Sequence, residues 1–237
     1  MPPKVYRVKL QHKQTVAHET VVFKFEKPIG YKHKAGQFIV LRILDLESTD
    51  EKETRHFFTL SSAPYEKHLA VTTRIRGTQL KQKLSSYKLG REVEITEAMG
   101  SFVLDKLESL VVFLAGGIGI TPFRSIALQE AFEKSPRNII LFYSSPSLKE
   151  MSYLEELKKV GEINQNFKLI PIITRDENWK GEKDHVSLEM IKKYVPNPSD
   201  AIFYSAGPPQ MVEILKNMLL RSNIPQEHVK VEEFEGY

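Results

Sequence analysis

Short runs of alternating or β-branched residues fill about the first hundred positions, and turn-forming residues separate them. Alternation places every second side chain on one face, which is typical of half-buried strands. The predicted strands are Val5–Leu10, Thr20–Phe25, Gln37–Leu44, Leu69–Ile75 and Glu92–Thr96. A helix capped by Thr78 is predicted before the last strand, with Leu80, Leu84 and Tyr87 on one face. Five or six strands at this spacing predict an antiparallel barrel or sandwich.

From Leu110 onward the pattern changes to fully apolar runs that alternate with amphipathic segments. Leu110–Leu114 is a continuous apolar run, and a helix is predicted from about Thr121 to Phe132. Further strands and helices are predicted at Asn138–Tyr143, Tyr153–Val160, Phe167–Ile173, Leu188–Tyr194, Ala201–Tyr204 and Gln210–Leu220. Apolar strands that alternate with helices are typical of a parallel sheet covered on both faces. We therefore predict a β-barrel domain at residues 1–105 and an α/β domain at residues 106–237.

Composition narrows the chemistry further. The 237 residues include no cysteine, which excludes disulfides, thiolate-bound zinc, cysteine-held iron–sulfur clusters and a thiol nucleophile. The seven histidines lack the spacing of a metal site, so no metal is expected. The net charge of +4 is spread along the chain and does not favour nucleic-acid binding. The apolar run Leu110–Phe123 is interrupted by glycines and the start lacks a signal peptide, so we expect a cytoplasmic protein without a membrane span.

A glycine-rich turn, AGGIGITP, follows the first apolar strand of the α/β half. Gly116, Gly117 and Gly119 would let backbone N–H groups approach a pyrophosphate at a positive helix N-terminus. Thr121 can cap that helix, and Pro122 suits its first turn. A tight turn that binds nothing is the alternative. The turn matches neither the G-x-G-x-x-G fingerprint nor a P-loop, so another class of nucleotide site is indicated.

Two more segments carry candidate chemistry. The segment RHFFTLSSAP, residues 55–64, places an arginine, aromatic rings and hydroxyls at the end of a predicted strand. Such side chains can bind a phosphate, stack on a ring and hydrogen-bond a heterocycle. A strand end with a serine-rich turn is an equal alternative. The segment AGPPQM, residues 206–211, predicts a rigid strand-to-helix corner.

In this order and spacing, the three segments resemble the ferredoxin–NADP reductase superfamily over nearly the whole chain. That family binds flavin through R-x-Y-[ST]-x-x-S, binds a nicotinamide dinucleotide through G-G-x-G-x-[TA]-P and closes the site with [CA]-G-P-P-x-M. The last two motifs match almost letter for letter, with Ala206 where the family often has cysteine. The first matches with a shift, since Phe58 stands at the tyrosine position and His56 at the arginine position. The resemblance implies an antiparallel β-barrel that binds FAD, followed by a parallel-sheet α/β domain that binds NAD(P).

The resemblance also implies a flavin site. Phe58 would pack on the isoalloxazine, and Thr59 would bond near its N5 as a catalytic residue. The same motif includes Leu60 and Ser61. Arg55 or His56 would reach the flavin phosphates, and the choice between them stays open. A diphosphate site, which favours FAD over FMN, is implied at Arg74, Gly77, Thr78 and Gln79.

For the nicotinamide nucleotide, the resemblance implies the glycine-rich turn together with Gly207, Pro208, Pro209 and Met211. The residues expected near the ribose 2′ position are Ser144, Ser145, Thr174 and Arg175. Thr174-Arg175 resembles the Ser-Arg pair of NADP-specific members, which favours NADPH. NADH stays the alternative, because Asp176 could pair with Arg175.

The chain ends in EEFEGY, and many relatives end close to an acidic residue and an aromatic that border the flavin. Glu233 is the candidate for relaying a proton, as a second catalytic residue. Phe234 and Tyr237 are candidates for contacting the flavin. A frayed terminus is the alternative.

Together these implications predict a flavoprotein oxidoreductase. NAD(P)H would deliver hydride to FAD, and the flavin would pass electrons to a separate acceptor such as ferredoxin or flavodoxin. Lysines that recur in the first half would suit an acidic partner. A flavin- or nucleotide-binding subunit of a larger complex is one alternative, and a reductase of free flavin, ferric complexes or quinones is another.

Overall fold

The computed structural model describes residues 2–46, 51–106 and 108–234. Up to residue 106, its elements are β1 (Val5–Ala17), β2 (Thr20–Glu26), β3 (Phe38–Ile43), α1 (Glu51–Thr54), β4 (Arg55–Thr59), β5 (His68–Arg74), α2 (Gln79–Ser86) and β6 (Glu92–Thr96). Every predicted strand of this half is present, and β4 is the strand expected to end within residues 55–64. Thr78 is the N-cap residue of α2, as predicted.

The strands of this half form one antiparallel sheet in the order β4-β3-β6-β1-β2-β5. Its two edges meet, because Leu60 bridges to Val71 and the Ser61 N–H donates to Ala70 O at 2.8 Å. The sheet therefore closes into the predicted barrel. Every second side chain of a strand points into the barrel. In β3, for example, Ile39, Leu41 and Ile43 are buried and the residues between them are not.

Strand β1 is longer than its apolar pattern predicts. Beyond Leu10 it continues through mostly polar, exposed residues to Ala17. Its partner there is β2, with a register shift between Leu10 and His12. Backbone hydrogen bonds in a hairpin, rather than buried side chains, hold this second half of the strand. The hydrophobic pattern of the sequence therefore does not predict it.

The second half consists of β7 (Leu110–Gly116), α3 (Ile120–Phe132), β8 (Asn138–Ser145), α4 (Leu154–Ile163), β9 (Phe167–Ile173), β10 (Glu182–Lys183), α5 (Leu188–Tyr194), β11 (Ile202–Gly207), α6 (Pro209–Arg221) and β12 (Val229–Glu233). Its strands pair in parallel in the order β10-β9-β8-β7-β11-β12. No helix among the described residues has the length and apolar content needed to cross a membrane.

Alternate residues of the central strand β7 enter two separate cores. Val111 and Phe113 pack in the core that includes Phe123 of α3, whereas Val112 and Leu114 pack in the core of α5 and α6. Both faces of the sheet are thus covered, which explains why its strands are continuously apolar. The predicted parallel α/β architecture is confirmed.

Two edge strands, β10 and β12, were not predicted. In β12 the sequence VKVEE mixes charged residues with valines, and its residues are half-buried or exposed. Its pairing with β11 carries the chain to Phe234 beside Gly207. The domain boundary predicted near Lys106 falls between β6 and β7 and stays a prediction.

Gly119→Ala should destabilise the protein by about 1–3 kcal/mol, because it overpacks a filled space. A Cβ on Gly119 would overlap the backbone of Ala206 and Gly207. Gly161→Ala is the matched control, since its Cβ would meet Phe167 O only at ordinary contact distance, 3.5 Å. There we expect a gain of about 0.5–1 kcal/mol from helix propensity. Urea unfolding followed by circular dichroism measures both, and equal midpoints would contradict the packing argument.

Candidate functional site

A cleft lies where the barrel meets the parallel sheet. Its lining comes from β4, β5 and α2 of the first half, and from the turn before α3, the start of α3 and the chain after β12. The lining residues are His56, Phe57, Phe58, Thr59, Thr72, Thr73, Arg74, Lys81, Ile118, Thr121 and Phe234. The structure therefore brings together three segments that the sequence singled out separately.

On the barrel side, strand β4 presents His56, Phe58 and Thr59 to the cleft. The His56 ring nitrogen Nε2 hydrogen-bonds the Thr78 hydroxyl at 2.9 Å. Arg55, the other candidate for the phosphates, is exposed and lies outside the lining. Of the two alternatives, His56 is thus the residue in the cleft.

Lys81 of α2 also lines the cleft, and sequence reasoning missed it. It is only 8% exposed, although lysines are almost always at the surface. Burial lowers the pKa of Lys81, and burial together with the charge of Lys81 lowers the pKa of His56. With Arg74, the cleft contains a lysine, an arginine and a histidine within one wall.

Several predicted flavin residues lie behind the cleft rather than in its lining. Leu60 is in the barrel core, and the Ser61 hydroxyl hydrogen-bonds Thr72 Oγ1 at 2.9 Å. Gly77 forms the turn before α2 with φ of 75°. The Gln79 N–H donates to the Glu53 carboxylate at 2.7 Å. That backbone donor, which the sequence assigned to a diphosphate, is therefore engaged by a carboxylate of the same chain.

Arg74 pairs across the junction between the two halves. Its guanidinium lies 3.2 Å from the Glu150 carboxylate of the second half. Arg76, its neighbour on the chain, pairs instead with Glu19 of the β1–β2 turn. The choice of Arg74 over Arg76 for the cleft agrees with this geometry.

The carboxylate beside Thr59 belongs to Glu232. Burial raises the pKa of Glu232 to about 7, and a hydrogen bond with the Thr59 side chain opposes that shift. Its Oε2 atom is buried and has no hydrogen-bond partner among the described residues. Glu233, by contrast, is exposed. Successive residues of a strand face opposite ways, and Glu232 is the one that faces inward. The proton-relay role expected for Glu233 stays a prediction.

The end of the described chain is held against the second sheet. The Phe234 N–H donates to Gly207 O at 3.0 Å, and its side chain lines the cleft. The alternative of a frayed terminus therefore does not hold as far as Phe234, and the expected contact of Phe234 with the flavin stays a prediction. Tyr237 lies outside the described residues.

The predicted nucleotide residues collect at the carboxyl edge of the parallel sheet. Each follows or ends one of β7, β8, β9 and β11: Gly116, Gly117, Gly119, Thr121, Pro122, Ser144, Ser145, Thr174, Arg175, Gly207, Pro208, Pro209 and Met211. This edge is where open α/β sheets bind ligands.

Two glycine-bearing segments pack on each other at this edge. A Cβ on Gly116 would overlap Met211 Sδ, and one on Gly119 would overlap the Ala206 carbonyl. Gly117 has φ of 52°, in the left-handed region. Gly116 and Gly119 therefore have a packing role between the two motifs, in addition to any approach of a ligand.

The predicted cap of α3 is wrong. Gly119 is the N-cap residue, because a short 3-10 turn at Gly117–Gly119 starts the helix earlier. Thr121 is inside the helix, and its hydroxyl donates to Ile118 O at 3.2 Å. Ile118 and Thr121 both line the cleft, so the positive end of α3 lies at its wall.

The serine and arginine candidates sit where β8 and β9 end. The Thr174 N–H donates to Ser145 O at 3.0 Å, and the Ser145 hydroxyl is buried without a hydrogen-bond partner among the described residues. Arg175 is exposed. Asp176 accepts the Asn178 N–H at 2.9 Å, and no ion pair between Asp176 and Arg175 occurs in the described ranges.

Comparisons with known proteins agree with this architecture. Residues 113–217 match the family model described as the oxidoreductase NAD-binding domain. The chain is 27% identical to a subunit of the Na(+)-translocating NADH-quinone reductase of Pseudoalteromonas atlantica, over 92% of this chain and 57% of that protein. It thus spans a little over half the length of the curated relatives it matches.

Two solved structures share the fold over nearly their whole length. A ferredoxin NADP+ reductase from Neisseria gonorrhoeae with bound FAD and NADP has a TM-score of 0.81 and 20% identity, covering 97% of this chain and 98% of that one. The FAD/NAD-binding domain of a nitric oxide dioxygenase from Vibrio cholerae has a TM-score of 0.82 and 18% identity, covering 96% and 98%. The predicted two-part fold is therefore confirmed.

Glu232→Gln should remove a pH-dependent loss of stability. The folded-state pKa of Glu232, about 7, exceeds the ordinary 4.5, so the folded protein binds this proton more tightly than the unfolded chain does. The bound proton therefore stabilises the folded state below pH 4.5, and this stabilisation is lost as the pH rises from 4.5 to 7. Relative to wild type, the variant should become more stable between pH 5 and pH 8 by about 2–3 kcal/mol. Chemical unfolding without flavin measures this.

Glu233→Gln is the matched control, because the neighbouring carboxylate is exposed. Its stability difference from wild type should stay constant over the same pH range. A Glu232→Gln difference that is also constant would contradict the raised pKa.

Proposed function

We propose that this chain is a flavin-dependent NAD(P)H reductase. The premise is its two-part fold, which is that of the ferredoxin–NADP reductase superfamily, together with its match to an oxidoreductase NAD-binding domain. In this proposal, hydride passes from NAD(P)H to FAD, and the electrons go on to a separate acceptor. One observation carries it: a single cleft is lined by Thr59 of β4, by the N-terminal turn of α3 and by Phe234.

The residues present fit a flavin dinucleotide. The cleft wall contains His56, Arg74 and Lys81, which suit a diphosphate, and hydroxyls of Thr59 and Thr73. The unpartnered Oε2 of Glu232 next to Thr59 supplies a buried polar atom without a protein partner among the described residues. When bound, FAD supplies a hydride acceptor that can release electrons one at a time.

We assign the proton-handling role to Glu232 together with Thr59. A carboxyl with a pKa of about 7 exists in both protonation states near neutral pH, so it can both donate and accept a proton there. Thr59 is 5% exposed and hydrogen-bonds this carboxyl. In our proposal, Thr59 orients the carboxyl, and Phe58 and Phe234, which both line the cleft, exclude water from it.

For the nicotinamide nucleotide, we propose the carboxyl edge of β7, β8, β9 and β11. The exposed Arg175, with its neighbour Asp176 engaged elsewhere, supports recognition of a 2′-phosphate and hence NADPH. The curated relatives are named as parts of NADH-quinone reductases, which supports NADH. Arg175 is the residue that would distinguish NADPH from NADH.

A second candidate is an electron-transfer subunit of a larger complex. The observation that favours it is that curated relatives are named as subunits, and that this chain matches only 57% of the length of one of them. The acceptor in either case is a proposal, and ferredoxin, flavodoxin, quinones, ferric complexes and free flavin suit the same reductase half-reaction.

The experiment that tests the proposal is an anaerobic absorbance titration of the purified protein with FAD, followed by NADPH or NADH. We expect FAD to bind and its visible band to bleach with one nucleotide. Bound flavin that neither nucleotide bleaches would favour the subunit candidate, and no flavin binding would contradict both.

Thr59→Ala should slow flavin reduction by about tenfold or more, because the hydroxyl that orients Glu232 is lost. FAD affinity should change by less than the rate, since the diphosphate contacts are on other residues. Stopped-flow reduction and flavin fluorescence measure the two. Thr59→Ser keeps the hydroxyl and should restore most of the rate, so equal rates in all three proteins would contradict the assignment.

Arg175→Ala should raise the KM for NADPH by about tenfold, the size expected when one charge-assisted phosphate contact is lost, and leave the KM for NADH unchanged. Lys180→Ala removes another exposed cation from the same connection and is the control. Steady-state oxidation of each nucleotide by the wild type and the two variants provides the six KM values. An unchanged ratio in Arg175→Ala would remove this residue from the 2′-phosphate site.

A further inference from the structure

An almost fully buried arginine joins the two halves next to the cleft. Arg124 lies on α3, the helix whose N-terminal turn lines the cleft, and is 5% exposed. Its guanidinium donates to Ser61 O at 2.5 Å and to the Glu66 carboxylate at 2.9 Å, both in the barrel half. It also donates to both carboxylate oxygens of Glu156 on α4, each at 2.7 Å.

These contacts satisfy a charge that would otherwise be costly to bury. Burial by itself lowers the pKa of Arg124, but the hydrogen bonds that Arg124 donates to Glu156 and Glu66 outweigh it and hold the pKa above its ordinary value. Arg124 is therefore charged at every physiological pH. Because a guanidinium group is planar and its N–H directions are fixed, it can hydrogen-bond two carboxylates and a carbonyl at once only when these partners lie in one arrangement around it.

The next residue of α3 makes a second bond across the same junction. The Ser125 hydroxyl donates to Ser62 O at 2.7 Å. Consecutive residues of α3 thus hold consecutive carbonyls of the chain that continues β4. Ser61 is only two residues beyond Thr59, so these bonds set the position of Thr59 relative to the start of α3.

Tyr153 adds a third connection on the other side of the guanidinium. Its ring lies 4.7 Å from the Arg124 guanidinium carbon, and its hydroxyl hydrogen-bonds Thr72, which lines the cleft. Tyr153 has φ of 63°, a left-handed conformation that costs a non-glycine residue free energy. Contacts to Arg124 and Thr72 hold it there, at the start of α4.

We infer that Arg124 and Ser125 are positioning residues that set the distance between the nicotinamide and flavin sites. This inference rests on the proposed reductase function. Hydride transfer moves two electrons and one proton from the nicotinamide, which is oxidised, to the flavin, which is reduced. Its rate depends steeply on the approach of the two rings, so a shift of α3 against β4 reduces the rate without removing either binding site.

The test compares Arg124→Lys with Arg137→Lys in the full chain loaded with FAD. Arg137 is also paired and its side chain is only 10% exposed, but its partners Glu130 and Glu108 are on the second half only. For Arg124→Lys we expect single-turnover flavin reduction to slow by about tenfold or more. Dissociation constants for FAD and nucleotide should change less than about twofold, and the long-wavelength nicotinamide–flavin charge-transfer band should weaken. Arg137→Lys should lose stability but keep its rate and its band.

Ser125→Ala keeps the inference testable if Arg124 variants fail to fold, because it removes one neutral hydrogen bond. It should slow reduction by about threefold to tenfold with the same spectroscopic change. Wild-type rates in Ser125→Ala, or equal slowing in the Arg124 and Arg137 variants, would overturn the inference. If the wild type itself shows no flavin reduction with either nucleotide, the proposed function fails, and this inference fails with it.

Discussion

Fixing two separately built sheets against each other is the physical constraint on which the rest of this structure depends. A buried ion costs several kcal/mol in lost hydration unless its partners are well placed. Arg124 meets that requirement with Glu66 from the barrel half, Glu156 from α4 and a backbone carbonyl at Ser61. Because the bonds come from both the β4–β5 connection and α4, the guanidinium favours a single arrangement of the junction, and the cleft keeps its shape.

The barrel and the parallel sheet contribute different groups to the cleft. An antiparallel barrel ends its strands at a rim, where β4 presents Thr59 and aromatic rings. A parallel sheet collects its strand ends and helix N-termini at one edge, where α3 begins. The parallel edge strand β12 then carries Glu232 and Phe234 back to that rim. Neither half supplies all of these groups, so the site that we propose for flavin and nicotinamide exists only where the two halves meet.

The features that sequence predicts best are those with a local cause. Apolar periodicity predicted the barrel and the parallel sheet, and the glycine and proline spacing marked both turns at the sheet edge. Features with a tertiary cause were missed or misplaced. The choice between Glu232 and Glu233 depends on the strand β12, whose charged sequence conceals it, and Gly119 rather than Thr121 caps α3 because of a 3-10 turn. Arg124 is indistinguishable in sequence from any polar helix residue, because its partners are distant along the chain.

The claim that the cleft brings nicotinamide and flavin into direct hydride-transfer contact is tested most directly by isotope substitution. Single-turnover flavin bleaching would be followed with the preferred nucleotide deuterated at one or the other face of nicotinamide C4. A nicotinamide held in one orientation transfers the hydrogen of one face, so deuterium there should slow bleaching, and deuterium on the other face should not. Bleaching at the same rate with both labelled nucleotides and the unlabelled one would contradict the account.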